Sequence, residues 1–234
     1  MVGARIRRSI LAGWVLLGFW RCALALDPAL DVSQYAHSAW RTQEGFARGE
    51  IVSIAQTPDG YLWLGTELGL FRFDGVRAVA WRPPQGLSLP DFHIRSLLGA
   101  RDGTLWIGTF AGLASWRGDR VTLYPQLEGW FINALLEDRE GVVWASATAA
   151  TTPFARLCAM SHDGVRCEGD DGRLGRWVTS LHETHKGDLW VQAATGLWHW
   201  RPGTPKLQWV DASLSGGLQD FADDEAGGVL ILTQ

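Results

Sequence analysis

The chain has 234 residues, 47% hydrophobic and 20% charged, enough to bury a sizeable core and too apolar for a disordered polypeptide. Its formal net charge is −4 and no basic run follows residue 8, which excludes a nucleic-acid binder with an electrostatic footprint. The 28 glycines and 14 tryptophans point instead to many turns separated by short aromatic strands.

The first 25 residues read as a secretory signal peptide. Arg5-Ile6-Arg7-Arg8 is a basic start, Ile10 to Trp20 is a short apolar stretch, and Ala23-Leu24-Ala25 is a small-x-small cleavage pattern. The apolar run is too short to span a bilayer comfortably, which weighs against the alternative of an uncleaved N-terminal anchor. Cys22 lacks the context of a lipidated cysteine. Cleavage would remove four arginines and no acid, leaving a more acidic mature chain.

From residue 26 onward the chain is a repeat. Asp59-Gly60-Tyr61-Leu62-Trp63-Leu64-Gly65-Thr66 is followed by Gly69-Leu70, and Asp102-Gly103-Thr104-Leu105-Trp106-Ile107-Gly108-Thr109 by Gly112-Leu113. Glu140-Gly141-Val142-Val143-Trp144 is a third copy, and Lys186-Gly187-Asp188-Leu189-Trp190 a fourth. Ala226-Gly227-Gly228-Val229-Leu230 is a fifth, with Leu at the Trp position. The period is roughly 42 residues, the length of a four-stranded propeller blade.

The first unit parses as strand a at Ile51 to Gln56, a tight turn at Pro58-Asp59-Gly60, and strand b at Tyr61 to Thr66. Strand c follows at Leu70 to Phe73, then a second hairpin signal at Asp74-Gly75 and strand d at Val76 to Trp81. Helical periodicity is absent. The fold class is therefore all-β: a β-propeller of four-stranded antiparallel blades, with units starting near residues 51, 94, 131, 177 and 218. In such a fold the Trp of strand b is expected to fill the gap between neighbouring sheets, and the Gly of Gly-Thr to leave it room. Trp63, Trp106, Trp144 and Trp190, with Gly65, Thr66, Gly108 and Thr109, are thus the structural repeat positions.

Two units depart from the pattern. The third has Ala145-Ser146-Ala147 where Gly-Thr belongs, and an insertion at 148–154. It also holds Cys158 and Cys167, flanking Ser161-His162-Asp163-Gly164. If those four residues form a hairpin loop, the cysteines sit opposite each other on paired strands, either as a disulfide or as two reduced thiols. The fifth unit reaches residue 234 near the end of its strand b. The expected architecture is accordingly about four and a half blades of a larger ring, with residues near Tyr35 to Trp40 able to supply one outer strand. A segment so divided is expected to be only marginally soluble and to bind its ligand poorly, because sheet edges and blade faces stay uncovered.

The pattern Asp-Gly-x-Leu-Trp-Leu-Gly-Thr-x-x-Gly-Leu-x-x-Phe-Asp-Gly resembles the two-component regulator propeller repeat, over roughly residues 33–234. Trp40-Arg41-Thr42-Gln43-Glu44-Gly45-Phe46 resembles the entry to its first blade. The resemblance implies the periplasmic sensor region of a hybrid histidine kinase or diguanylate cyclase. It also implies a seven-bladed ring, often two in tandem, in a membrane-anchored parent that dimerises through later domains. The output domain would lie beyond residue 234.

Catalytic constellations are not evident. His182-Glu183-Thr184-His185 has the wrong spacing for a zinc-protease helix and reads as polar residues at a hairpin. No metal and no cofactor is expected. One recurring feature suggests binding: an aromatic, usually near a base, stands just before each strand a. Beside Phe46, these are Arg48; Phe92, His93 and Arg95; Trp130 and Phe131; Arg176 and Trp177. Loops that join strand d to the next strand a converge on one face around the channel. Aromatic platforms and planar Arg there suit glycan rings and anionic sugars; the competing use of these rings is as wedges between blades. The expected function is sensing of an extracellular oligosaccharide or small molecule. The alternatives are a secreted propeller enzyme, such as a lyase or glycosidase, and a protein-interaction scaffold.

Overall fold

The computed structural model describes residues 39–41, 46–84, 86–161, 163–200, 206–209, 218–223 and 229–233. The expected leader at 1–25 lies outside them. Four antiparallel sheets of four strands follow one another along the chain. The first holds β1 (Ile51–Gln56), β2 (Leu62–Thr66), β3 (Gly69–Phe73) and β4 (Ala78–Trp81), and the second β5 (Ile94–Gly99), β6 (Leu105–Thr109), β7 (Leu113–Arg117) and β8 (Arg120–Leu123). The third holds β9 (Phe131–Glu137), β10 (Val143–Thr148), β11 (Arg156–Ser161) and β12 (Gly164–Glu168). The fourth holds β13 (Val178–Glu183), β14 (Leu189–Ala193), β15 (Gly196–Trp200) and β16 (Lys206–Trp209). A two-stranded sheet, β17 (Leu218–Asp223) and β18 (Val229–Thr233), comes fifth. Each sheet is built in sequence order, and β1 lies against β5, β5 against β9 and β9 against β13. Inner strands side by side and outer strands fanned away are the arrangement of propeller blades.

The turns from the first to the second strand repeat in detail. Thr57 N–H donates to Tyr61 O at 3.1 Å and Gly60 N–H to Thr57 O at 2.9 Å, and the same pair of bonds closes the turns ending at Gly103, Gly141 and Gly187. Each of these glycines has φ between +84° and +88°, the left-handed position that ends a three-residue hairpin loop. Between the second and third strands, the Thr of Gly-Thr closes the turn: Thr66 Oγ1 donates to Gly69 O at 3.0 Å, and Thr109 Oγ1 to Gly112 O at 2.8 Å.

The glycine beside that Thr is a contact point between blades. A Cβ on Gly65 would lie 2.6 Å from Ile94 Cγ2 of the next blade; on Gly108 it would lie 2.2 Å from Ser96 Oγ and 2.8 Å from Ile132 Cβ. Gly65 pairs with Ser53 and Gly108 with Ser96, and both serines bond across to the following blade. Leu97 N–H donates to Ser53 Oγ at 2.9 Å, and Ser96 Oγ donates to Ile132 O at 2.9 Å.

The third blade solves the same problem with its residues exchanged. Ala134 replaces the serine and Ser146 the glycine, and the two are paired. Fully buried, Ser146 accepts from Ala134 N–H at 3.0 Å and donates to Val178 O at 3.2 Å. Val178 stands where the preceding interfaces have isoleucine, which gives back the volume that the Ser146 Cβ takes. Ala145-Ser146-Ala147 is therefore a compensated variant of the motif. The insertion at 148–154 is accommodated in the loop between β10 and β11. Cys158 and Cys167 are directly opposite on β11 and β12, and their sulfurs are bonded, with Cα atoms 4.0 Å apart.

Not every tryptophan of the repeat is a wedge. Trp63 is 0% exposed, donates from Nε1 to Thr57 Oγ1 at 2.9 Å, and meets Trp81 and Trp116 with ring centroids 6.0 and 5.2 Å away. These three rings join the first blade to the second. Trp106 is only half-buried, stacked on Tyr124 at 5.2 Å. Trp144, also half-buried, is tied through Nε1 to Asp138 Oδ2 at 2.8 Å, and Trp190 stacks on His199 at 4.8 Å. Among the described residues, the large aromatic supplies the inter-blade contact in full only at Trp63, where two further tryptophans close over it.

Two mutations test this packing. Trp63→Ala is expected to lower stability by about 3–5 kcal/mol in chemical denaturation, and Trp106→Ala by clearly less, since a half-buried ring leaves a smaller cavity. Ser146→Ala is expected to cost about 1–3 kcal/mol by the same measurement, because it strips the buried Ala134 N–H and Val178 carbonyl of a partner.

Candidate functional site

Pairing register fixes which loops share an end of the blades. Ile51 pairs with Thr66, Ile94 with Thr109, Phe131 with Thr148 and Val178 with Ala193. The start of each inner strand thus lies beside the end of its neighbour. The loops leading into β1, β5, β9 and β13 therefore gather at one end, with the short turns after β2, β6 and β14 and the longer loop after β10. At that end every inner strand carries one extra residue. Two steps from Ile51 to Ser53 face one step from Thr66 to Gly65, and the same irregularity falls at Arg95, Asn133, Thr179 and Gln219. A β-bulge at each of these positions turns the strand locally. Val52, Arg95 and Thr179 are exposed, and Asn133 is half-buried.

Around the second and third blades these positions join a continuous cluster. Phe92 is 59% exposed and lies over His93 with ring centroids 4.3 Å apart; His93 meets Phe110 at 5.5 Å, and Phe110 meets Phe131 at 5.1 Å. The Arg95 guanidinium lies 4.8 Å from the Phe110 ring centroid and donates to Asn133 Oδ1 at 3.0 Å. Asn133 Nδ2 donates in turn to Thr148 Oγ1 at 3.0 Å. Asp91 accepts from His93 N–H at 2.9 Å, and its Oδ1 lies 3.2 Å from His93 Nδ1.

Beside this cluster, Arg48, Leu68, Trp81, Arg82, Asp91 and Phe92 line an open groove of about 1040 Å3. Phe92 belongs to both. Arg48, Phe92, His93, Arg95 and Phe131 are therefore brought to one continuous surface.

The other expected site residues fare differently. Trp130 is 9% exposed and packs with Leu113, Leu127 and Ile132, with Arg156 stacked 4.3 Å from its ring centroid. It is a core wedge, and a ligand at the surface does not reach it. Phe46, half-buried, packs edge-on to Phe73 at 5.1 Å within the first blade's own apolar cluster. Arg176 and Trp177 are exposed on the loop before β13; the Trp177 carbonyl accepts from Ala194 N–H at 2.8 Å. Among the described residues, no ring contact joins them to the cluster.

Sequence reasoning missed Phe110, Asn133 and Thr148. Phe110 follows Gly108-Thr109, where the first blade has Glu67, so an aromatic breaking the repeat was its signal. Asn133 becomes visible only through the bulge, which no local motif announces.

The opposite end is a different surface. Glu137 accepts from Arg101 N–H at 2.8 Å, and Glu183 from Arg139 N–H and Nε at 2.9 Å each. Arg139 also donates to the carbonyls of Thr184 and His185 at 2.7 Å. These clamps tie the hairpin of one blade to the inner strand of the next, so the His182-Glu183-Thr184-His185 segment belongs to blade docking. Burial pushes the Asp102 carboxyl up, but the Thr104 N–H and hydroxyl and the Arg117 charge outweigh it and leave the group below its usual value. Burial raises the Tyr124 phenol, which sits 3.1 Å from Ser115 Oγ.

The fold is that of a β-propeller, with the cluster of rings and Arg95 at the end where the entry loops of the blades gather. Residues 45–67, the entry to the first blade and its first two strands, match the two component regulator propeller family. No curated protein matches the chain.

Among solved structures, the extracellular domain of a protein assigned as a hybrid two component system of B. thetaiotaomicron superposes with a TM-score of 0.60 at 18% identity. The match covers 79% of this chain and 26% of that one. Virginiamycin B lyase of Staphylococcus aureus gives 0.58 at 12% identity, covering 78% of this chain and 63% of that one. A gluconolactonase of Xanthomonas campestris gives 0.50 at 14%, covering 77% and 68%. At these identities the likeness is one of fold. The chain spans about a quarter of that extracellular domain's length.

The division between wedge and surface rings is measurable. Phe92→Ala is expected to change stability by less than about 0.5 kcal/mol and Trp130→Ala to lower it by about 3–5 kcal/mol, both by denaturant titration.

Proposed function

We propose that this chain is the ligand-sensing propeller segment of an exported two-component receptor, and that it binds a glycan or other small extracellular ligand at the entry-loop end of its blades. The observation that carries the reading is the continuous surface of Phe92, His93, Arg95, Phe110 and Phe131. Flat rings offer stacking area to the apolar face of a sugar or similar ring, and Asn133 and Arg95 offer directional hydrogen bonds. The two component regulator propeller match in the first blade supports a place in signalling.

An extracytoplasmic location is supported by the leader-like sequence at 1–25 and by the bonded Cys158 and Cys167, since disulfides persist in oxidising compartments. The partner in this reading is the rest of a membrane-anchored, dimeric receptor with a histidine kinase or diguanylate cyclase output.

A second reading, an enzyme on the same scaffold, is favoured by the lyase and gluconolactonase likeness in fold. Against it stands the chemistry of the surface: its carboxylate, Asp91, is engaged by the His93 N–H, and its remaining groups are rings, an amide and a cation.

Titration of the full chain with neutral and acidic oligosaccharides, followed by calorimetry and mass spectrometry, separates the two. The sensing reading expects binding with the saccharide recovered intact, and at least tenfold weaker binding by Phe131→Ala. Release of cleaved or rearranged product would establish the enzyme instead, and absence of binding by the whole panel would overturn saccharide sensing at this face.

A further inference from the structure

We propose that the bulge residues of the inner strands read the ligand, and that Arg95 with Asn133 forms a subsite for the carboxylate of a ring-bearing small molecule. This rests on the sensing reading above and assigns the chemistry of its contact.

The first argument is the contrast between the bulge and its neighbours. The residue before it is apolar in every blade: Ile51, Ile94, Ile132, Val178 and Leu218. Of these, Ile94, Ile132 and Val178 are buried at the blade interfaces. The residue after it is small in four blades: Ser53, Ser96, Ala134 and Ser180. Packing between blades demands both, through the contacts with Gly65, Gly108 and Ser146. The bulge residue itself is Val52, Arg95, Asn133, Thr179 or Gln219, with no two alike. Where side chains are described, each is at least partly exposed. A position that the fold leaves at least partly open to solvent in all four blades where its side chain is described, and whose identity the fold does not specify, is free to differ for recognition.

The second argument is electrostatic. Arg101, Arg117, Arg139, Arg156 and Arg173 are each held by a carboxylate. Arg95 is held in one orientation by neutral groups, the Asn133 amide oxygen and the face of Phe110. Among the described residues no carboxylate lies within ion-pair distance of it. Its position is fixed while its charge is left uncompensated. A guanidinium so prepared pairs with a carboxylate in two parallel hydrogen bonds and loses little side-chain freedom on doing so.

The neighbouring rings set the rest of the ligand. Phe110 covers one side of the guanidinium and keeps water from it, which strengthens the pair, and with Phe131 it presents apolar area to a flat ring bound next to it. Asp91 is engaged by His93, so the charge beside the rings is the uncompensated guanidinium of Arg95, suited to a carboxylate. That carboxylate has two sources, a uronic-acid saccharide or an aromatic acid.

The test uses the full chain with a uronic-acid disaccharide and with phenylacetate, each beside its uncharged methyl ester, by calorimetry. An acid of at least one pair is expected to bind roughly 10–100-fold more tightly than its ester, the range of a hydrogen bond to a charged group. The pair showing the difference identifies the source. Arg95→Ala is expected to abolish the preference. So is Asn133→Asp, which keeps the guanidinium in place but supplies the missing carboxylate from the protein. Thermal melts of both variants should match the parent, since Arg95 is exposed and a carboxylate at position 133 accepts from the Thr148 hydroxyl where the amide donated to it.

Equal binding of acid and ester by the unaltered chain, or an undiminished preference in Asn133→Asp, would overturn the subsite. That comparison of acid with ester stands even if a variant fails to fold. Binding of neutral saccharides alone would overturn the carboxylate subsite while leaving the sensing reading intact. Failure of every saccharide, with phenylacetate still preferred over its ester and sensitive to Arg95→Ala, would uphold the subsite and remove the glycan.

Discussion

Everything in this molecule depends on how closely the second strand of one blade lets the inner strand of the next approach. At the first two interfaces that distance is set by a glycine, because the isoleucine opposite already occupies the space of a Cβ. The serine paired with that glycine supplies a hydrogen bond across the same gap. Apolar contact and a satisfied polar group are thus delivered by adjacent positions. A buried donor or acceptor left unpaired there would cost as much as the packing gains.

The third blade shows that the constraint is on space and hydrogen bonding, not on residue identity. Serine moves to the strand that normally carries glycine, alanine takes the serine position, and valine replaces isoleucine on the facing blade. The hydroxyl still reaches a main-chain carbonyl of the next blade. Three substitutions that look like decay of a motif are one coordinated exchange. The arginine clamps from Arg101 to Glu137 and from Arg139 to Glu183 fasten the far end of the same interfaces.

Rigid inner strands explain why a variable surface can sit on them. The bulge lies between two positions that the packing holds fixed, so its side chain is carried by a frame that does not need it. Arg95 is oriented by an amide and an aromatic face, and the amide is itself oriented by Thr148. Such serial support fixes the guanidinium in place without neutralising its charge. Phe110 and Phe131, from a turn and a strand start on different blades, complete the surface only because the blades stand side by side.

Much of the fold was legible in the residues alone. The recurrence of Asp-Gly, Trp and Gly-Thr at a roughly constant period fixes hairpins, strand order and blade boundaries, because each is a local demand on backbone angles or on pairing. The opposition of Cys158 and Cys167 followed from counting outward from their hairpin. Strand limits shifted by a residue or two, as at Leu62, Gly69 and Ala78.

What sequence could not decide was which aromatic faces a neighbour and which faces solvent. Trp130 and Phe131 are adjacent, yet Trp130 is buried in the blade interface and Phe131 joins the surface cluster, because successive residues of an extended chain point to opposite sides. Nor could it locate the bulges, which arise from a mismatch between strands and leave no trace in either one. The blade was written in local pattern; the site was made by register and by the meeting of blades, which are properties of the assembled tertiary structure.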